Sequence, residues 1–295
     1  MALRPPDDDL PIPSERPKKQ AKIAVTAEKQ QPDYGVNDEN KPPQATADAS
    51  VDYIPSENLK PIADPEAEVR GLIEGLESKD WVKVCESLND ARRFALYHSI
   101  LLLPILDRVM LVTAKAMKNP RSALCKTSIM TSSDIFTAFS DKLLEPSTSD
   151  AFDRLLLQLL LKASQDKKFV CEEADNAVKA MVESMTPLPL LRKLKTYVSH
   201  SNLRIRAKAA ISISRCVSKL EPEGMKEFGL VSLIQTAAEL LNDRLPEARE
   251  AARAIVASAY EALTENEEEK QQEWQSFCQS NLPAIHAQAM IKLVS

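Results

Sequence analysis

Basic side chains recur in the short polar breaks between predicted helices, and one tryptophan accompanies them. Taking Trp81, Arg121, Lys168, Arg204 and Arg249 as markers of these breaks, the intervals are 40, 47, 36 and 45 residues. The candidate site residues in the breaks are Trp81, Lys83, Lys118, Arg121, Lys167, Lys168, Arg204, Arg206, Arg244 and Arg249. Cations of this kind attract acidic surfaces, and Trp and Arg are frequent interface anchors. The pattern predicts a binding surface.

Sequence patterns typical of an active site are missing from the chain. It contains no phosphate-binding glycine loop, no dinucleotide fingerprint, no HExxH zinc motif and no nucleophile elbow. His98, His200 and His286 lie far apart in the sequence. The cysteines, at positions 85, 125, 171, 216 and 278, include no pair close enough to hold zinc and are interpreted as reduced, mostly buried side chains. We therefore expect a non-enzymatic protein without a cofactor or metal.

The amino-acid composition limits the classes of partner that the protein is expected to bind. The formal net charge is −5 and the pI is about 5.5, which gives no global attraction to nucleic acid or to anionic membranes. No stretch approaches the roughly 18 apolar residues of a membrane span. The acidic, proline-broken start at Met1–Asp9 is unlike a signal peptide. We expect a soluble protein of the cytoplasm with neither nucleic acid nor membrane as its partner.

The composition changes near residue 64. Eleven of the nineteen prolines lie at or before residue 65, and residues 1–63 contain few large apolar side chains. Such a segment cannot bury enough surface to offset its ordering entropy, so we expect a disordered tail at 1–63 and a folded domain at 64–295. The basic cluster Arg16–Lys22 is open to three interpretations: a solvated tail, a nuclear-import signal or an electrostatic microtubule contact.

Helical periodicity begins at Asp64 and continues to the end of the chain. Pairs of helices are predicted at 64–76 and 81–95, 102–118 and 120–140, 150–164 and 167–184, 188–199 and 202–219, 225–241 and 246–263, and 267–280 and 283–294. Two helices per period of roughly 40–47 residues are typical of HEAT repeats. The sequence predicts an all-α HEAT-repeat solenoid.

In a solenoid the turns inside the repeats lie along one edge, which we call the rim. Ten basic and four acidic side chains give the rim a formal charge of about +6 in an acidic chain. The rim should attract an acidic partner, although charged loops are also common without any function. Trp81 is open to two interpretations: an outward-facing anchor or a staple between the first two helices.

The five turns resemble those of TOG domains. Lys79–Leu88 is similar to the first-repeat signature, in which a tryptophan follows an acidic residue. Asn119–Leu124 resembles the second-repeat turn of the CLASP and crescerin branch, and Asp166–Val170 its third. Asn202–Lys208 and Glu247–Arg253 resemble the fourth and fifth turns. The resemblance spans residues 64–264 in order, and a single such domain after a short tail is similar to a group of small plant ARM/HEAT-repeat proteins.

This resemblance implies a non-enzymatic protein that binds tubulin or microtubules, sits on the cytoskeleton and regulates microtubule organisation. It implies that Trp81 and Arg121 contact β-tubulin, and that Lys168, Arg204 and Arg249 reach towards α-tubulin. Other cytoskeletal partners fit the same reasoning. The alternatives are a generic HEAT scaffold that binds other proteins through its helical faces and an accessory subunit of an enzyme.

Overall fold

The computed structural model describes residues 53–263, 266 and 268–294, which contain helices and no strand. The α-helices are α1 (Pro65–Leu76), α2 (Trp81–Tyr97), α3 (Ser99–Leu102), α4 (Leu106–Ala116), α5 (Ser122–Phe139), α6 (Ser149–Ala163), α7 (Lys168–Ser184), α8 (Pro187–Lys195), α9 (Leu203–Ser218), α10 (Pro222–Phe228), α11 (Leu230–Leu241), α12 (Pro246–Leu263), α13 (Lys270–Asn281) and α14 (Ala284–Val294). Short 3-10 turns occupy Ser56–Asn58, Leu103–Ile105 and Ser140–Leu144. The predicted all-α solenoid is confirmed.

The repeats are the antiparallel pairs α1/α2, α4/α5, α6/α7, α8/α9 and α11/α12. Their second helices form one layer, in which α2 packs on α5, α5 on α7, and α9 on α12. The first pair is held closely at its rim end, where a Cβ atom on Gly75 would come within 2.2 Å of the Ser87 hydroxyl. Glycine is therefore required there for α1 to approach α2.

The core is a continuous apolar interior, because each amphipathic helix buries one stripe against its neighbours. At its C-terminal end α14 packs on α12, and Trp274 of α13 is fully buried. The Trp274 ring stands edge-on to Tyr260 at a centroid distance of 5.5 Å. These late aromatic residues close the end of the apolar interior.

Residues 53–63, which the sequence assigned to the tail, pack against α2 and α5 as a strap. Leu59 is buried, and its carbonyl accepts a hydrogen bond of 2.7 Å from the Tyr97 hydroxyl. Arg92, which is fully buried, donates to the Ile54 carbonyl at 2.7 Å and pairs with Asp134 at 2.6 Å. Residues 53–63 are therefore part of the packed chain, because Ile54 and Ser56 are partners of this buried cation. The remainder of the predicted tail, with the Arg16–Lys22 cluster, lies outside the described residues.

Three predicted helices differ from the observed ones, and the simplest case is the helix expected at 188–199, which ends at Lys195. The helix expected at 225–241 is divided into α10 and α11 by Gly229, whose φ of 103° lies in the left-handed region. The helix expected from residue 102 begins instead at Leu106, because Pro104 lies in the preceding 3-10 turn. Across the described residues, every helix is too short or too polar to traverse a bilayer.

Candidate protein-binding rim

Short acidic or amide side chains shape four of the five rim turns. Asp80, Asn119, Asn202 and Asp243 each accept a hydrogen bond of 2.9 Å from the backbone amide two residues later. These contacts satisfy amides that would otherwise be unpaired at a helix start, and they set the direction in which each second helix leaves its turn. The basic side chains that follow are thereby presented at the ends of neighbouring helices.

The first two turns are joined by Trp81 and Arg121. The Trp81 side chain is half-buried and packs against the core. The exposed Arg121 guanidinium lies over its ring, with Cζ 5.5 Å from the ring centroid. This distance is within the range of a cation–π interaction. This packing agrees with the staple interpretation of Trp81, whose side chain also remains partly exposed. Its role as an interface anchor stays a prediction.

The third and fourth turns are joined by Arg204 and Asp166. Nη1 of Arg204 donates to the Asp166 carboxylate at 2.5 Å and to the Ser164 carbonyl at 3.0 Å. Behind this pair, α7 and α9 pack less extensively than the other second helices. A cleft of ≈430 Å³ opens between them, with Lys168 and Leu245 among its lining residues. The rim is therefore notched between its third and fourth turns.

The fourth and fifth turns are joined by a more buried pair. Nε of Arg206 donates to the Asp243 carboxylate at 2.8 Å, and Nη1 of Arg206 donates to the His200 carbonyl at 2.8 Å. Arg249 donates to the Asp243 and Arg244 carbonyls at 2.7 and 3.0 Å. Burial opposes ionisation of Asp243, but the Leu245 amide and Arg206 outweigh it and hold the pKa of Asp243 below its ordinary value of 3.8. Arg206 thus connects the fourth and fifth turns, and Arg249 stabilises the fifth turn.

Several other rim cations point into solvent. Lys83, Lys118, Lys167 and Arg244 are exposed, and no carboxylate of the described chain lies within ion-pair distance of them. Lys168 is also exposed, and its only ion pair among the described residues is a long one, 3.7 Å, to Glu172 on the same helix. An exposed pair of this kind contributes little to stability. These side chains are available to meet an acidic surface.

The comparisons with known proteins agree with this architecture. A family model described as CLASP N terminal matches residues 98–281, which is more than half of the chain. The chain belongs to the CLASP N-terminal family.

It is 28% identical over 242 residues to mouse (Mus musculus) TOG array regulator of axonemal microtubules protein 1, covering 80% of this chain and 13% of that protein. The human (Homo sapiens) protein of the same name is 30% identical over 138 residues, covering 47% and 8%. The chain therefore spans only a small part of the length of these relatives.

Solved structures identify the same fold. The TOG domain of C. elegans Zyg9 aligns with a TM-score of 0.57 at 16% identity, covering 81% of this chain and 89% of that one. A structure titled "TOG-tubulin binding specificity promotes microtubule dynamics and mitotic spindle formation" aligns with a TM-score of 0.55 at 13% identity, covering 79% and 88%. The described domain has a TOG fold, as its five turns suggested.

On this TOG fold the ten predicted site residues fall into different environments. All ten lie at or beside the rim turns. Trp81, Arg121, Arg204, Arg206 and Arg249 contact other protein groups, whereas the lysines and Arg244 are mainly solvent-facing. The sequence could not separate these groups, because a cation that braces a turn and one that faces a partner have the same residue type.

The cysteines of this CLASP-family chain have the burial of side chains that pack in a core. Cys85, Cys125, Cys216 and Cys278 are buried, and Cys171 is half-buried. Burial raises the pKa of Cys85 to about 11 and that of Cys216 to about 12, which disfavours the reactive thiolate. Across the described part of the chain, no group of His, Cys, Asp and Glu is arranged to hold a metal ion.

Proposed function

We propose that this chain is a non-enzymatic tubulin-binding protein that uses the rim of its TOG domain and regulates microtubule organisation or dynamics. The observation that carries the proposal is the exposure of Lys83, Lys118, Lys167, Lys168 and Arg244 along one edge of an acidic chain. Such an edge attracts an acidic protein over long range, and short-range contacts then determine the affinity.

The dimensions of the rim also suit a protein partner. Neighbouring helices pack roughly 8–10 Å apart, so five successive turns extend over about 40–50 Å. A small ligand would not need such a surface. One similar TOG structure has a title that refers to tubulin, and the mouse relative has a name that refers to axonemal microtubules. Both names support tubulin as the partner. We accordingly place the protein on microtubules in the cytoplasm.

The ten site residues take three roles in this proposal. Lys83, Lys118, Lys167, Lys168 and Arg244 provide direct electrostatic contacts with tubulin. Trp81 and Arg121 form the anchor of the first two turns, and Arg204 provides a further electrostatic contact at the fourth turn. Arg206 and Arg249 position the last turns. We further propose that the functional domain extends from the strap at residue 53 to the C-terminal helices.

Size-exclusion chromatography with purified αβ-tubulin at low ionic strength tests the proposal. We expect a complex with the wild-type chain and a clear loss of complex when Lys118 and Lys167 are both changed to Glu. The double variant Lys142→Glu/Arg192→Glu is a matched control, because it reverses two exposed cations that lie outside the rim turns. Absence of a complex with wild type contradicts tubulin binding, and equal binding by the Lys118/Lys167 double variant contradicts the use of the rim.

A second candidate function is a HEAT scaffold for another protein. Apolar side chains are exposed at the opposite end of α2, where Ile100 is 83% exposed and Leu96 and Leu103 lie nearby in the sequence. Contiguous exposed apolar surface is typical of protein interfaces. This function predicts that changing Lys168 and Arg204 to Glu leaves partner binding intact, while Ile100→Glu abolishes it. A pull-down with these variants distinguishes the two functions.

A further inference from the structure

Phe169 is a large apolar side chain exposed on the rim. It is 43% exposed, and it is the second residue of α7, directly after Lys167 and Lys168. Trp81, by comparison, is half-buried and packs against the core. Phe169 therefore leaves a larger part of its apolar surface open to solvent on the rim.

The position of Phe169 within the rim is central. It shares a helical face with Glu173, one turn later, whose carboxylate lies 3.4 Å from Lys126 of α5. Phe169 therefore lies on the side of α7 that faces α5, near the end of the contact between the second and third repeats. The Trp81–Arg121 contact lies on one side of it along the rim, and the notch beside Arg204 lies on the other.

We propose that Phe169 is the central apolar anchor of the rim, which inserts into an apolar recess bordered by carboxylates on the partner. The inference rests on the proposed function and specifies what its partner must present. Interface residues that dominate affinity cluster near the centre of a binding surface and are often aromatic. The flanking Lys167 and Lys168 then pair with the carboxylates around the recess, so that charge and shape select the same partner surface.

This arrangement separates two contributions to binding. The lysines contribute attraction that depends on ionic strength, because it acts between exposed charges. Phe169 contributes burial of apolar surface, which depends little on salt. Removing the ring should therefore weaken binding by a similar factor at every salt concentration, whereas removing a lysine should weaken it most at low salt.

Isothermal titration of αβ-tubulin into the full chain at several salt concentrations tests the inference. We expect Phe169→Ala to raise the Kd by about 5- to 30-fold with an unchanged salt slope. Ile100→Ala is the matched control, because Ile100 is 83% exposed on α3, at the edge opposite the rim turns, and we expect less than about a twofold change. Thermal unfolding of each variant checks the fold, and Phe169→Leu should recover part of the affinity.

The outcomes distinguish this inference from the function on which it rests. If the wild-type chain binds no tubulin, the proposed function fails. If wild type binds and Phe169→Ala binds equally well, tubulin binding stands and the central anchor is excluded. A loss of affinity in Phe169→Ala that is matched by a large drop in melting temperature and is not recovered by Phe169→Leu assigns the ring to stability, which also overturns the inference.

Discussion

The carboxylate of Asp243 and the guanidinium of Arg206 join the last two turns of the rim, with Oδ2 and Nε 2.8 Å apart. The Asp243 side chain is 3% exposed and that of Arg206 is 21% exposed. Asp243 also accepts the Leu245 amide, and Arg249 donates to the Asp243 carbonyl. Asp243 thus connects the fourth and fifth repeats and orients the start of α12. An acidic side chain therefore stabilises the shape of this basic rim.

The first prediction is that Asp243→Asn destabilises the domain by about 1–3 kcal/mol at neutral pH, because it weakens a charge-assisted hydrogen bond. The pKa of Asp243 is lowered in the folded state. Its contribution is therefore fully present above the ordinary value of 3.8 and is lost as the pH falls through the lower, folded value. Urea unfolding should show the difference between wild type and variant shrinking in that acidic range. Asp166→Asn is the control, since the Asp166 side chain is 88% exposed, and a difference that grows on acidification contradicts the assignment.

The second prediction concerns the coupling between Trp81 and Arg121. Trp81→Ala should lower the unfolding free energy by about 1–3 kcal/mol, because the indole is half-buried against the core. In a double-mutant cycle with Arg121→Ala, we expect a coupling of about 0.5–1 kcal/mol from the cation–π contact. Urea unfolding of the wild type, the two single variants and the double variant measures it. Strictly additive effects would show that the stacking contributes nothing to stability.

The third prediction concerns the strap. Asp134→Ala should destabilise the domain by about 3–5 kcal/mol, because it leaves the fully buried Arg92 without its counter-charge.

A chain that begins at residue 64 should likewise melt well below one that begins at residue 53, because the truncation removes Ile54 and Ser56, both partners of Arg92. Calorimetry of the two chains measures this difference. Equal melting temperatures would exclude a structural role for residues 53–63.

The fourth prediction separates rim cations that face solvent from those that brace the turns. Lys83→Ala, Lys118→Ala and Lys167→Ala should each change the unfolding free energy by less than about 0.5 kcal/mol. Arg206→Ala and Arg249→Ala should each cost about 1–3 kcal/mol, because they leave buried acceptors without partners. Chemical denaturation of the five variants compares the groups directly. A similar cost for the lysines and the arginines would contradict the division.

Much of the architecture could be predicted from the sequence because local rules determine it. Asp64, Asp80 and Asn202 are strong helix-capping residues, and each caps the helix expected after it. The apolar spacing then predicts which face of each helix is buried. The break at Gly229 was missed because apolar periodicity continues on both sides of it, and only its left-handed backbone divides α10 from α11.

The features that were not predicted depend on contacts between distant residues. Arg92 has the sequence context of an exposed helical arginine, yet Asp134, 42 residues later, and the strap bury it completely. Phe169 lies beside the buried stripe of α7, which begins at Val170, and it shares a face with Glu173. Its large apolar side chain is the residue type expected in a core, so residue type alone did not predict that it would be 43% exposed.

Hydrogen–deuterium exchange of the full chain with and without αβ-tubulin tests the central claim most directly, because it maps the contact surface without any substitution. We predict that tubulin protects the five rim turns and adjoining helix starts, at residues 77–83, 117–122, 164–170, 200–206 and 242–249, and leaves the opposite edge around residues 98–105 unchanged. Protection confined to that opposite edge, or no protection at any site at saturating tubulin, would contradict the account.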